Sequence, residues 1–141
     1  MPVASGTVSF IYSEHLIEHL TLSAGTRLFV DAAAGLEKGG VFRIAMPDLG
    51  YLVQKYLRNW QDQEWLADPV YRSIDSAAHM LNYSVREWGH LYLYDLDDLS
   101  SRLRTAGFDF VAQRQWGESP HKELRDLERR HDSKLIVEAT K

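Results

Sequence analysis

Apolar residues fall along this chain in blocks whose spacing changes from one block to the next, and the changes mark the elements. Val8 to Ser13 (V-S-F-I-Y-S) is short, apolar and β-branched or aromatic at most positions, which predicts a buried strand. Ser13 to Leu20 reads as a loop that becomes a helical turn. Leu28, Phe29, Ala32, Ala33 and Leu36 then recur at helical spacing, with Ser23 as the expected N-cap. Gly39-Gly40 reads as the left-handed stop of that helix, with Lys38 at its negative pole. Val41 to Ala45 is the second strand. A helix between two parallel strands crosses over right-handed, so these strands are expected side by side or nearly so. Pro47 ends the second strand, and Asp48 caps a helix whose apolar face is Leu49, Leu52, Val53, Tyr56, Leu57 and Trp60.

Residues 61–90 keep a weaker pattern. Asp68-Pro69 has the form of a helix start, followed by Val70, Ile74, Ala77, Ala78 and Leu81. Trp65, Tyr71, His79, Tyr83 and Trp88 give more aromatic surface than a linker needs, so the stretch reads as a helical insertion folded over the strand ends. His90 to Tyr94 alternates as H-L-Y-L-Y. Asp95 and Asp98 then occupy the cap and first turn of a helix through Leu96, Leu99 and Leu103 that Gly107 closes. Phe108 to Trp116 is a strand. Ser119-Pro120 opens a short polar helix or loop through Arg130, and Lys134 to Ala139 is the last strand, antiparallel to the one before it. The expected class is α/β.

Composition narrows this further. The chain has 141 residues, which suits one domain, with 45% hydrophobic and 26% charged residues, enough for a packed core. A net charge of −4 argues against a broad nucleic-acid footprint, which needs a basic face. The absence of cysteine excludes disulfides, thiolate metal sites and cysteine nucleophiles. The opening M-P-V-A-S-G-T-V lacks the basic segment and apolar run of a secretory signal, and no apolar stretch is long enough for a membrane span, so a cytoplasmic location with no membrane partner is expected.

Candidate chemistry gathers where parallel strands end, because ligands of open α/β sheets sit at the carboxyl ends of strands. Those ends are Ser13 to His19 and Met46 to Asp48. The sharpest short motif is His15-Leu16-Ile17-Glu18-His19, H-x-x-E-H, in which two imidazoles one helical turn apart can share zinc with Glu18 as base. Against a zinc hydrolase, the run directly follows a buried strand, and a zinc protease needs a third ligand and a larger cleft. The plainer account has one histidine in solvent and the other bonded to a loop or to Glu18. Gly35 to Gly40 sits at a helix end entering a strand, the reverse of a phosphate cradle. There is no G-x-G-x-x-G, Walker or G-x-S-x-G motif. Asp48 is an N-cap that can also serve as a base. His79, Trp88, His90, Tyr92 and Tyr94 either line an acceptor pocket or pack on one another.

Three blocks, F-I-Y-S-E-H-L-I-E-H-L, G-L-E-K-G-G-V-F-R-I-A-M-P-D-L and H-L-Y-L-Y-D-L-D-D-L-S-S-R-L-R-T-A-G-F, together resemble the second half of a class I S-adenosylmethionine-dependent methyltransferase. The nearest subgroup is the predicted methyltransferases of polysaccharide-type gene neighbourhoods, and the closing S-K-L-I-V-E-A-T-K resembles its final strand. Ala33-Ala34-Gly35 departs from it, since that group commonly carries an arginine there. The resemblance covers nearly the whole chain. It implies a single truncated domain over residues 1–141 with part of a Rossmann-like sheet of order 3-2-1-4-5-7-6. Val8–Ser13, Val41–Ala45, Phe108–Trp116 and Lys134–Ala139 would be strands four to seven. It further implies S-adenosylmethionine as cofactor, although the glycine-rich turn and the ribose-holding acidic residue of such enzymes have no counterpart here. Ser13, Glu14 and His15 would be what still meets the cofactor. Pro47, Asp48, His79, Trp88, His90 and Tyr92 would face the acceptor, with Asp48 and His15 as candidate catalytic groups and no metal ligand among them. A fourth strand without its usual inner neighbour becomes an apolar edge, which invites pairing with another chain. A homodimer or a complementing chain is therefore expected along Val8 to Ser13. The competing expectation is a non-catalytic α/β interaction module.

Overall fold

The computed structural model describes residues 4–141. Strand β1 (Val8–Glu14) leads through a 3-10 turn (Ile17–His19) into helix α1 (Leu22–Gly35), strand β2 (Leu36–Met46) and helix α2 (Leu49–Leu57). Two further 3-10 turns, Glu64–Ala67 and Pro69–Tyr71, precede helix α3 (Ala77–Arg86) and helix α4 (Leu96–Thr105). Strand β3 (Phe110–Gln113), a last 3-10 turn (Lys122–Leu124) and strand β4 (Leu135–Thr140) complete the chain.

The strands lie in the order β1-β2-β4-β3, with β1 parallel to β2 and the other two pairings antiparallel. This is the order and direction expected for strands four, five, seven and six of the methyltransferase sheet. Among the described residues β1 pairs with β2 alone, so its other side is an edge.

Alternation along β2 gives the sheet two different faces. Phe42, Ile44 and Met46 point into the main core, against Ile17 and Phe29, against Leu99 and Leu103 of α4, and against Leu135 and Val137 of β4. Arg43 points to the opposite face. It is fully buried there, donating from Nε to Glu128 at 2.7 Å and from Nη1 to Glu138 at 2.8 Å and to the Glu118 carbonyl at 3.0 Å. Glu138 is its cross-strand partner on β4. The polar run between β3 and β4 thus covers the second face around Arg43.

Several local expectations need correction. Helix α1 stops at Gly35, and its N-cap is Thr21, whose Oγ1 accepts from the Ala24 amide at 3.3 Å, in place of Ser23. Gly39-Gly40 is not the helix stop but a bulge inside β2. Gly39 has φ +81°, and the register passes from Val8–Leu36 to Phe10–Val41 across it. A Cβ on Gly40 would meet the Glu37 carbonyl at 2.9 Å and the Val8 carbonyl at 3.1 Å, so backbone crowding selects that glycine. Pro69 opens only one 3-10 turn, and Ser76 caps the true helix α3 by accepting from the His79 amide at 3.1 Å. The alternating run 90–94 joins no strand, because the amides of Leu91 and Tyr92 donate to the Glu18 carbonyl. Phe108 belongs to the core and not to β3, turned inward after Gly107 at φ +107°.

Residues 61–90 form a layer with a core of their own. Leu52 from α2, Ile74 and Met80 are its buried centre, with Trp60, Trp65 and Tyr71 packed around them. No helix among the described residues is long and apolar enough to cross a membrane.

Candidate functional site

A cavity of about 520 Å³ opens where β2 ends, within the usual size of a small-molecule site. Three segments wall it. Pro47, Asp48 and Tyr51 come from the β2–α2 junction, Trp65, Tyr71 and Trp88 from the aromatic layer, and Arg129 to Asp132 with Lys134 from the loop entering β4. That loop reaches the cavity because β4 runs antiparallel to β2, so Leu135 sits opposite Met46. The aromatic wall is held edge to face, with Trp65 at 4.8 Å from Trp88 and 5.0 Å from Tyr71.

Asp48 caps α2 by accepting the Gly50 amide at 2.8 Å. Burial lifts its carboxyl above the ordinary carboxylate range, aided by the charge of Asp95 and opposed by the Tyr51 and Gly50 amides. The cap role and a position on the cavity wall coincide in one side chain.

The end of β1 is tied to the far wall. Glu14 Oε1 accepts the amides of Arg129 and Arg130, each at 2.9 Å, and the Ser133 hydroxyl at 3.1 Å. His15 follows in the left-handed region at φ +46°, with Nε2 at 3.1 Å from Ser133 Oγ and 3.5 Å from Asp132 Oδ1. The Ser13 hydroxyl is buried and has no hydrogen-bond partner. Of the three residues expected to meet a cofactor, Glu14 and His15 are therefore engaged within the protein and Ser13 is covered.

Glu18 and His19 lie on the 3-10 turn, not on a helix, and that changes what H-x-x-E-H does. Glu18 is fully buried, His15 Nδ1 lies 3.1 Å from its Oε1, and His19 Nε2 lies 3.9 Å from the same oxygen. Sequence reasoning did not anticipate the third participant here. His90, 71 residues after His19 in the chain, sets its ring against that of His19 in a tilted contact, centroids 5.0 Å apart. Burial holds the His90 imidazole below its usual range, which favours the neutral ring.

The acceptor candidates divide. Pro47, Asp48 and Trp88 line the cavity. His79 is away from it, paired with Asp75 at 3.2 Å. Tyr92 is also off the cavity, its hydroxyl donating to Asp98 at 3.1 Å and accepting from Arg102. His90 contacts the wall from behind, 5.9 Å from the Trp88 ring. Tyr94 is core, and burial pushes its phenol up to about 12. Trp65 and Tyr71, expected only as part of the aromatic insertion, also line the cavity, whereas Tyr51 and the 129–134 loop were missed. The loop was signalled by the charged run R-R-H-D just before the last strand, once that strand is taken as antiparallel to β2.

The fold defined by this sheet order and these flanking helices is a methyltransferase-type α/β fold. Solved structures bear this out over the whole chain. A SAM-dependent methyltransferase from Thermotoga maritima, described as a possible histamine N-methyltransferase, matches with a TM-score of 0.55 at 17% identity, covering 100% of this chain and 59% of that one. A SAM-dependent methyltransferase from Archaeoglobus fulgidus matches with a TM-score of 0.56 at 13% identity, covering 99% of this chain and 62% of that one. The chain thus spans less than two thirds of the length of these enzymes. No protein-family model and no curated protein sequence matches it.

Proposed function

We propose that this chain forms the acceptor-facing portion of a S-adenosylmethionine-dependent methyltransferase. The observation that carries the reading is the coincidence of the β1-β2-β4-β3 sheet with a cavity at the exit of β2, walled by aromatic rings and the half-buried Asp48 carboxylate. When bound, the cofactor supplies a methyl group on a positively charged sulfur, a leaving group that needs no acid. What remains for the protein is alignment and the removal of a proton from a hydroxyl or ammonium acceptor. On this reading Asp48 takes the second task, since a carboxyl lifted by burial is a stronger base than a solvated one. Trp65, Tyr71 and Trp88 offer an aromatic wall for a planar or cationic acceptor.

The fit to the cofactor itself is partial. The sequence has no G-x-G-x-x-G turn to hold a nucleotide, and Glu14 is already spent on the 129–133 loop. On this reading the open edge of β1, Val8 to Ser13, takes a complementing chain that carries the nucleoside grip. A second copy of this chain would fill the edge without supplying that grip. The engagement of Glu14 and His15 also favours a second reading, a methyltransferase-like interaction module that binds no cofactor.

Calorimetry with S-adenosylmethionine, together with transfer of a labelled methyl group to amine and hydroxyl acceptors, separates the two. The chain, alone or with a chain captured through the β1 edge, is expected to bind the cofactor and label an acceptor. Asp48→Asn, which keeps the helix cap, is expected to abolish labelling of hydroxyl acceptors. A folded protein silent in every arm moves the assignment to the interaction module.

A further inference from the structure

The Glu18 carboxylate is fully buried, and neither of its oxygens has a hydrogen-bond partner. His15 Nδ1 at 3.1 Å is close enough for attraction but is not in hydrogen-bond alignment. An unmatched buried charge is expensive, so something must answer it.

Neither His19 nor His90 turns its Nδ1 hydrogen toward this carboxylate. His19 Nδ1 lies 3.2 Å from the Gly89 carbonyl, and His90 Nδ1 lies 2.7 Å from the Ser84 carbonyl. A carbonyl only accepts, so each ring carries its proton on Nδ1. In the neutral ring Nε2 is then a bare lone pair. One donor atom each from Glu18, His19 and His90 lies within 4.8 Å of the others. His19 Nε2 stands 3.9 Å from Glu18 Oε1, so a carboxylate and two imidazoles converge, a donor set that a cation completes. A ring nitrogen bonded to a carbonyl is also the usual second contact of a metal-bound histidine, because it fixes the tautomer and the orientation.

The backbone holds this cluster in advance. The Leu91 and Tyr92 amides donate to the Glu18 carbonyl at 2.8 and 3.2 Å, which fixes the segment carrying His90 against the turn carrying Glu18 and His19. His19 is 38% exposed, so an ion can enter from solvent.

We propose that Glu18, His19 and His90 form a divalent transition-metal site, two imidazoles and one carboxylate with coordination positions left for water. The absence of thiolates and the imidazole majority favour zinc and its first-row neighbours over calcium or magnesium. Donors around zinc sit roughly 3.3 Å apart, so the present spacing of up to 4.8 Å closes by about 1.5 Å through side-chain rotation. The ligand set differs from that of an H-x-x-E-H hydrolase. Glu18 is a ligand and not a base, and His15 is replaced by His90. The ion would fasten the Trp88 side of the acceptor cavity to the end of β1, independently of any methyl transfer.

The test uses Zn²⁺ and Co²⁺ added to the metal-stripped chain, read by calorimetry, retained stoichiometry and the visible spectrum of the cobalt form. One ion per chain is expected, with affinity reduced more than about 100-fold in His90→Ala, beyond the roughly 10- to 100-fold typical of removing a group that only orients a ligand. Glu18→Gln keeps the packing and should lose the ion as well, whereas His79→Ala should bind as the parent does. Nitrogen-15 shifts of the imidazoles supply a readout independent of affinity. His19 and His90 should be protonated at Nδ1 alone, and their Nε2 signals should move on adding metal. Doubly protonated rings at neutral pH with no retained ion would overturn the proposal, and so would binding that survives both His90→Ala and Glu18→Gln.

Discussion

Glu14→Gln tests whether the wall of the cavity is held from the end of β1. Four contacts converge on this carboxylate: the Arg129 amide reaches Oε1 at 2.9 Å and Oε2 at 3.1 Å, and the Arg130 amide and Ser133 hydroxyl reach Oε1 at 2.9 and 3.1 Å. Hydrogen bonds to a charged acceptor contribute about 1.5–3 kcal/mol net, against about 0.5–1.5 for neutral ones. Glutamine keeps one neutral acceptor and turns an N–H₂ toward the Arg129 amide. The site is partly solvated, so the combined loss should fall near the value of one charged bond, about 1.5–3 kcal/mol. If the loop opens locally, exchange at the Arg129 and Arg130 amides should speed up roughly 10- to 100-fold.

The same strut has a pH signature. Burial alone would raise the Glu14 carboxyl, but the Arg130 and Arg129 amides, the Ser133 hydroxyl and the charge of His15 together outweigh it and hold it below the ordinary range. A carboxyl depressed in the folded state stabilises fully above its unfolded value of about 4.3 and loses that contribution as pH falls through the folded value. After correction for intrinsic exchange, protection at Arg129 and Arg130 should therefore hold down to the mid-acid range and collapse below it. In Glu14→Gln it should be low and flat across the same range. Amide exchange in the variant within about twofold of the parent would refute the reasoning, because the loop would then be held by something other than Glu14.

Two further perturbations probe the faces on either side of the sheet. Arg43→Met removes the cation that Glu128 and Glu138 share in a fully buried setting, and urea unfolding should show a loss of about 3–5 kcal/mol; a loss under about 1 kcal/mol would mean that the two carboxyls find other partners. Gly25→Ala would place a Cβ 2.7 Å from the Tyr94 hydroxyl, an overpacking that should cost about 1–3 kcal/mol, whereas in a Tyr94→Phe background the nearest remaining neighbours are at 3.7 and 3.9 Å and the alanine should stabilise α1 by up to about 1 kcal/mol. Thermal melts of the four-member cycle check this, and additive effects would show that the hydroxyl is not what excludes the side chain.

What could be read directly from the sequence was local. Asp48 and Asp95 were legible as caps because a cap bonds an amide two or three residues away, and both do. Gly107 was legible because a left-handed residue after a helical stripe has few alternatives, and it takes φ +107°. Gly39-Gly40 offered the same signal and misled. The same positive φ serves a bulge, and only the pairing of β2 with β1 decides between the two uses. The crossover of β1 and β2 was legible because handedness leaves one solution.

The site was less legible because its partners are distant in sequence. Glu14 meets Arg129 across 115 residues, and His19 meets Gly89 across 70. Neither separation has a periodicity to betray it. The first could still have been narrowed by topology. An antiparallel last strand beside β2 must begin where β2 ends, and a parallel β1 ends on the same side. A loop entering that last strand, R-R-H-D-S, then has to pass the carboxyl end of β1, and the acidic side chain at that end is Glu14. Pairing direction thus gives the neighbourhood, and charge gives the partner. For Glu18 the corresponding step fails, since 61–90 is irregular and no sheet rule places its exit. Only a buried carboxylate without a donor, visible once the chain is folded, points to His90.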